Sequence, residues 1–204
     1  MRIPEPTVER LLQLSRVLEN LKAESISSSE IEAKTGWSSY TIRKDISFLQ
    51  ENLGEASGYN RLSLLAAIKR ALALGTPWKF CVVGLGRLGS AYLNFPAFAD
   101  EGFELVAGFD SSVNRIEILR SPVPLYPAYK MGEVISRFSI DLALLCVPAA
   151  SAQGAADKLV ASGIRGITNF APVVLEVPER VMTSNVFVVD ELRSMAAKLA
   201  CLVD

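Results

Sequence analysis

"KFCVVGLGRLGSAYLNF" occupies residues 79–95. An apolar run, Phe80 to Val83, meets three glycines, Gly84, Gly86 and Gly89, and then a stretch of helical composition. A strand that enters a GxGxxG turn and leaves it as a helix predicts a dinucleotide cradle. Each glycine has its own task there. The first makes the tight turn, the second lets backbone approach a pyrophosphate, and the third lets the helix pack on the strand. The helix N-terminus meets the phosphate charge with unpaired N–H groups. Asp110 follows Gly89 by 21 residues, at the end of the next apolar run, ELVAGFD (104–110). An acid at that place accepts from a ribose hydroxyl and repels a 2′-phosphate, which predicts NAD(H) over NADP(H).

Outward from the cradle, apolar strand candidates recur at 79–83, 104–109, 140–147, 164–169 and 186–189, with helical stretches between most of them. This alternation predicts an α/β fold with a Rossmann-like, doubly wound parallel sheet. In such a sheet the ligand lies outside the carboxyl ends of the strands. The expected nucleotide site therefore adds Arg87 and Leu88 inside the motif, and Ser111 and Arg115 beside Asp110. Val147 and Pro148 of CVPAAS and Asn169, Phe170, Ala171 and Pro172 of TNFAP complete it. These strand ends lack a lysine or an obvious acid–base pair, and no second lobe follows. The site is expected to bind without catalysing, so no catalytic residue is assigned.

The residues ahead of the cradle have a different character. Val8, Leu11, Leu12, Leu14, Val17, Leu18 and Leu21 recur at helical spacing over 7–24. Serines 27–29 offer a cap for EIEAKTG, a short helix ending at Gly36. A third helix is expected across WSSYTIRKDISFLQENLG (37–54), after a tight turn at Gly36, and a fourth over 62–74. This is a helix-turn-helix with a wing at 54–60. On a helical wheel Tyr40, Arg43, Lys44 and Ser47 lie opposite Ile42, Ile46 and Leu49. That exposed face suits phosphates and major-groove edges. With Ser38, Thr41 and the wing's Tyr59 it makes up the expected surface for double-stranded DNA. Asp45 falls near the apolar edge and is expected to form a structural ion pair. Residues 1–75 hold ten Lys/Arg against nine Asp/Glu, so affinity has to come from local placement and non-specific binding should be weak.

The bulk figures narrow the classes. The 204 residues are half hydrophobic with a net charge of −1, enough for a real core and without a global attraction to polyanions. No histidine is present, which removes the Ser-His and Cys-His nucleophile systems and most zinc sites. Cys81, Cys146 and Cys201 are widely spaced, so neither a metal nor a disulfide is expected. The start of the sequence lacks a signal-peptide core and no run is long enough to span a membrane, which predicts a cytoplasmic protein. The organisation expected is a winged helix over 1–75, a Rossmann domain over 76–189 and a terminal helix over 190–204. In ELRSMAAKLACLV (191–203), Leu192, Met195, Ala196, Leu199 and Leu202 form a stripe that needs a partner surface.

IPEPTVERL (3–11), IRKDISF (42–48), VVGLGRLGSA (82–91) and above all GIRGITNFAPVVLEVP (163–178) resemble the Rex redox-sensing transcriptional repressors. The resemblance runs over nearly the whole chain. It implies a homodimer that exchanges its C-terminal helices, a winged helix on a palindromic operator, and release of DNA at a high NADH/NAD+ ratio. It also marks departures. The family carries a basic residue in the wing where ENLGEASGYN has Glu55, and Tyr-Pro where this chain has Phe95-Pro96. Where the family has Asn-Val-Asp, this chain has Asn185, Val186 and Phe187. In the family that Tyr and Asp join an Arg, matched by Arg16, in a network that differs between the NAD+ and NADH forms. With phenylalanine at two of three places, an altered redox switch is expected. Two other readings stay open from the residues alone. One is a nucleotide- or CoA-binding module, the other a small NAD-dependent oxidoreductase, both without DNA binding.

Overall fold

The computed structural model of the chain describes residues 3–55 and 58–201, with Glu55 placed by its backbone alone. The Glu55 carboxylate and Leu202 of the terminal stripe thus lie outside the described residues. Two compact units divide the chain, Met1–Thr76 and Pro77–Asp204.

In the first unit, α1 (Glu5–Glu19) starts two residues earlier than its apolar period, because Pro4 and Pro6 fit the first turn of a helix. It ends before Leu21, where Asn20 caps it. β1 (Ser25–Ile26) precedes α2 (Ser28–Thr35). Ser27 and Glu30 close a reciprocal capping box at the start of α2, and Gly36 ends it in the left-handed region. The recognition helix α3 spans Ser39–Ser47, capped by the Ser38 hydroxyl. It stops seven residues short of the expected Gly54, although Leu49 still reaches the core. The backbone turns there, with Gln50 at φ +57°, to reach the hairpin β2 (Gly54–Glu55) and β3 (Gly58–Asn60). β3 pairs antiparallel with β1 and β2, which makes the wing. Asn60 caps α4 (Arg61–Ala71). Leu11, Leu14 and Leu18 of α1 meet Ile31, Ile42, Ile46, Leu64 and Ile68 in one core. Each of these buried aliphatics stabilises the unit by about 2 kcal/mol.

The second unit is a six-stranded sheet with helices between its strands. Its strands are β4 (Trp78–Val83), β5 (Phe103–Asp110), β6 (Leu125–Pro127), β7 (Leu142–Leu145), β8 (Gly166–Asn169) and β9 (Met182–Asn185). All pairings are parallel, in the order β6-β5-β4-β7-β8-β9. That is the doubly wound order in which the winding reverses between β4 and β7. α5 (Arg87–Leu93) and α6 (Ala97–Asp100) follow β4, and α7 (Val113–Ile118) follows β5. A 3-10 turn leads from β6 into α8 (Met131–Phe138), and α9 (Ala149–Ala161) joins β7 to β8. Alternation along β4 sends Cys81 and Val83 to one core and Phe80 and Val82 to the other, so both faces are covered.

Two expectations need correction. The last strand is Met182–Asn185, and the apolar run at 186–189 instead leads into α10 (Val188–Cys201). The strand reads Met-Thr-Ser-Asn, an exposed edge with no apolar alternation to reveal it. β6 has three residues ending in a proline, again an edge feature.

Asp45 makes the structural ion pair expected of it. Its side chain is buried, with Arg10 Nε at 2.5 Å and Nη2 at 2.8 Å, and the Thr7 hydroxyl at 2.9 Å. The carboxylate thereby ties α3 to α1. Arg10→Ala strands that charge and should cost this unit about 3 kcal/mol in urea unfolding. Thr7→Val should cost about 1 kcal/mol. An unmoved midpoint for Arg10→Ala would show that water replaces the guanidinium freely.

Candidate functional sites

β4 runs into Gly84 at φ +89°, where a Cβ would sit 2.6 Å from the Cys146 carbonyl oxygen. A Cβ on Gly89 would run into the Gly84 carbonyl oxygen. Both positions are closed to side chains by the protein itself. Gly86 differs, since a Cβ there meets no protein atom within 4 Å. It would project only into the crevice, which is the fit expected of a backbone that a pyrophosphate approaches. Gly86 is also the N-cap of α5 and offers no side-chain cap, so the first N–H groups of the helix stay available to an anion.

A crevice of about 770 Å3 opens at this point, outside the carboxyl ends of the strands. Of the residues expected at a nucleotide, Gly84, Gly86, Arg87, Leu88, Asp110, Ser111, Arg115, Val147, Pro148 and Phe170 line it. Gly89 is buried beneath the loop. Asn169, Ala171 and Pro172 are not on its wall. Asn169 is fully buried and brackets its own loop instead, donating to Val173 O (2.7 Å) and Asn185 Oδ1 (3.0 Å) and accepting from Ala171 N. Ala171 packs into the core and Pro172 is exposed. The sequence reading missed the wall made by α9, where Ser151, Gly154, Ala155 and Lys158 line the crevice at i, i+3, i+4 and i+7. Their spacing was the available signal. Met131 of α8 and Cys146 were also missed.

Asp110 is 4% exposed at the end of β5. Its Oδ2 accepts from Leu85 N (2.7 Å) and Arg115 Nη1 (2.8 Å), and its Oδ1 from Ser112 N (2.8 Å). Burial pushes its pKa up, but the Ser112 and Leu85 N–H groups and the Arg115 guanidinium outweigh burial and hold it below the usual carboxylate range. The lining also includes the apolar Val147, Pro148 and Phe170, and Phe170 is backed by further aromatics. Phe170 lies 5.2 Å from Tyr92, which also contacts Phe95 (6.3 Å) and Phe98 (5.8 Å). Burial pushes the Cys146 thiol up to about 12, so it stays protonated and unreactive. Among the described residues no three of Cys, Asp or Glu cluster to hold a metal.

On the first unit, Tyr40 is 71% exposed, and Arg43 and Lys44 also face solvent, so the outward face of α3 carries two cations and a phenol. The expected hydroxyl donors are partly engaged within the protein. Ser38 and Thr41 hydroxyls pair at 2.9 Å, and Ser47 donates to Lys44 O at 2.6 Å. Tyr59 is half-buried against the core and braces the wing. Glu32 accepts from the Ser39 N–H and hydroxyl, fixing the start of α3 from α2. These hydrogen bonds, and then Arg43, hold the Glu32 pKa down.

Comparison with known proteins agrees with both units. The family described as "Putative DNA-binding protein N-terminus" matches residues 2–47, and that described as "CoA binding domain" matches 76–173. The redox-sensing transcriptional repressor Rex of Pelotomaculum thermopropionicum is 37% identical over 189 residues, covering 91% of this chain and 89% of its own. Rex of Thermus aquaticus is 39% identical over 190 residues, covering 91% and 89%. Among solved structures, RSP in complex with β-NAD+ and operator DNA superposes with a TM-score of 0.89 at 31% identity, covering 98% of this chain and 93% of that one. RSP in complex with β-NADH gives 0.86 at 32% identity, covering 98% and 95%. The winged helix, the doubly wound sheet and the relatives agree: this chain belongs to the Rex family of redox-sensing transcriptional repressors.

Proposed function

We propose that this protein represses transcription by binding operator DNA through α3 and the wing, and that NAD(H) in the crevice controls that binding. One observation carries the nucleotide half. The chain is closed to a side chain at Gly84 and Gly89 by its own backbone, yet at Gly86 it leaves open space beside the crevice, where a bound pyrophosphate would need bare backbone. Gly84, Gly86, Arg87 and Leu88 would hold the pyrophosphate, and Asp110, Ser111 and Arg115 the adenine ribose. Val147, Pro148 and Phe170 lie along the path to the nicotinamide, with Gly89, Asn169, Ala171 and Pro172 bracing the loops behind it. When bound, the nicotinamide supplies a ring that is cationic when oxidised and neutral when reduced. The residues bind it and turn nothing over.

The DNA half rests on Tyr40, Arg43 and Lys44 as direct contacts. Ser38, Thr41, Ser47 and Tyr59 shape the helix and wing that carry them. The working division is a winged helix over 1–75, a Rossmann domain over 76–189 and a dimerisation helix over 190–204. Val188, Leu192, Met195 and Leu199 of α10 are each more than half exposed, an apolar face that supports a homodimer. Among the described residues no helix is long and apolar enough to cross a membrane. Work on DNA with a diffusible nucleotide suits the cytoplasm.

At the nicotinamide end, Phe95 offers no hydroxyl and Phe187 no carboxylate. An apolar lining favours the neutral dihydronicotinamide, because burying an unpaired cation is costly. A ligand shifts a two-state equilibrium only through differential affinity. Fewer bonds that depend on oxidation state therefore mean a weaker switch.

Three measurements check this. Gly86→Val should fold with a Tm within about 2 °C of the parent yet lose NADH in calorimetry, whereas Gly89→Ala should lose roughly 2 kcal/mol of stability or more. Binding of NADH by Gly86→Val would refute the cradle. On a DNA pool, Arg43→Ala or Lys44→Ala should lower the salt slope by about one if a phosphate contact is lost, or cost about 1–3 kcal/mol if a base contact is lost. Unchanged binding in both variants would mean that α3 is not the reading helix. NADH titrated into a preformed operator complex should release DNA incompletely, and full release at near-stoichiometric NADH would refute the weakened switch.

A further inference from the structure

A buried carboxylate at the end of the second strand discriminates against a ribose 2′-phosphate when its charge is free to repel one. Asp110 is not in that condition. Its charge is matched by Arg115 at 2.8 Å, and two backbone N–H groups share the oxygens. A carboxylate has about four acceptor positions. Three are in use, so one place on Oδ1 remains for a ribose hydroxyl while the net field toward a phosphate is largely cancelled.

Arg115 itself is half-exposed, its side chain at 48%, and one of its donors reaches Asp110. Among the described residues its side chain makes no other hydrogen bond, and both residues line the crevice. If the guanidinium turns outward, Asp110 keeps Leu85 N and Ser112 N and is not stranded. Lys158 enters the same crevice from α9 and Arg87 from the glycine loop. Three cations face one acid there, and among the described residues neither Arg87 nor Lys158 makes an ion pair. A planar guanidinium with free donors suits a phosphate, with bonds stronger than neutral ones.

The geometry points to Arg115 as the residue that sets the preference between a plain adenosine ribose and one carrying a 2′-phosphate. It does so by neutralising Asp110 and by offering its own donors to the phosphate. Asp110 alone therefore does not exclude NADP(H). This rests on the nucleotide reading above and deepens it. The test is calorimetric titration of the full-length protein, Arg115→Gln and Arg115→Lys with NADH and with NADPH. Arg115→Gln should weaken NADPH by about 10- to 100-fold more than it weakens NADH, the worth of a hydrogen bond between charged groups. Arg115→Lys, which keeps the charge and loses the fork, should fall between the two. An unchanged NADH-to-NADPH ratio in both variants overturns the inference. So does an equal loss of both nucleotides, which would reduce Arg115 to a brace for Asp110 and the loop. Failure of the parent protein to bind either nucleotide would instead overturn the nucleotide reading, and this inference with it.

Discussion

The second unit depends on how closely two pieces of backbone approach at the start of α5. Gly89 lies against the Gly84 carbonyl, and Gly84 lies against the strand end at Cys146. Close contact at both places brings β4, α5 and β7 together at the point where the winding of the sheet reverses. Leu85, between the two glycines, points its side chain into the core and its N–H at Asp110. One tight loop therefore fixes helix to strand, strand to neighbouring strand, and the acid of β5 to both. The crevice is what remains outside the strands once those contacts are made.

Each unit uses a buried carboxylate as its polar rivet, and the two serve different ends. Asp45 takes its bonds from side chains, Arg10 and Thr7, and joins two helices. Asp110 takes two of its three bonds from backbone N–H groups, so its position is fixed by the fold even if Arg115 leaves. Its remaining acceptor place can serve a ligand without exposing an uncompensated charge. Backbone donors thus leave a stabilising acid free for the recognising role proposed for it.

The parts legible in the sequence are those set by local geometry. Gly84, Gly86, Gly89 and Asp110 could be read because a tight turn, a close backbone approach and a fixed strand length each demand a particular residue at a fixed spacing. Asp45 could be read because an acid on the apolar edge of a helix needs a cation, although nothing in sequence named Arg10. Elements set by distant partners were hidden. β9 is a strand only because β8 lies beside it, and its four polar or exposed residues carry no period. Asn169 looks like a ligand group in TNFAP, yet its amide satisfies Val173 and Asn185, a pairing that only the folded loop creates. The α9 wall escaped notice because serine, glycine and alanine mark a surface by their smallness and announce no chemistry.

The apolar face of α10 links the two units' tasks. Val188, Val189, Leu192, Met195 and Leu199 stand exposed on one chain, and covering each stabilises by about 1–2 kcal/mol. In the homodimer proposed above, a second copy would supply that cover at the same moment as it supplies a second winged helix. Two recognition helices related by a twofold axis read a palindrome, with half-sites set a whole helical turn or a multiple of it apart. The geometry between the copies then matters more than any single phosphate contact, because the first unit has almost no net charge with which to hold DNA on its own. In the proposed reading, a nucleotide that altered that spacing would end repression. A crevice with Phe170 on its wall, backed by Tyr92 and through it Phe95, has shape and solvation to work with there, in place of ion pairs.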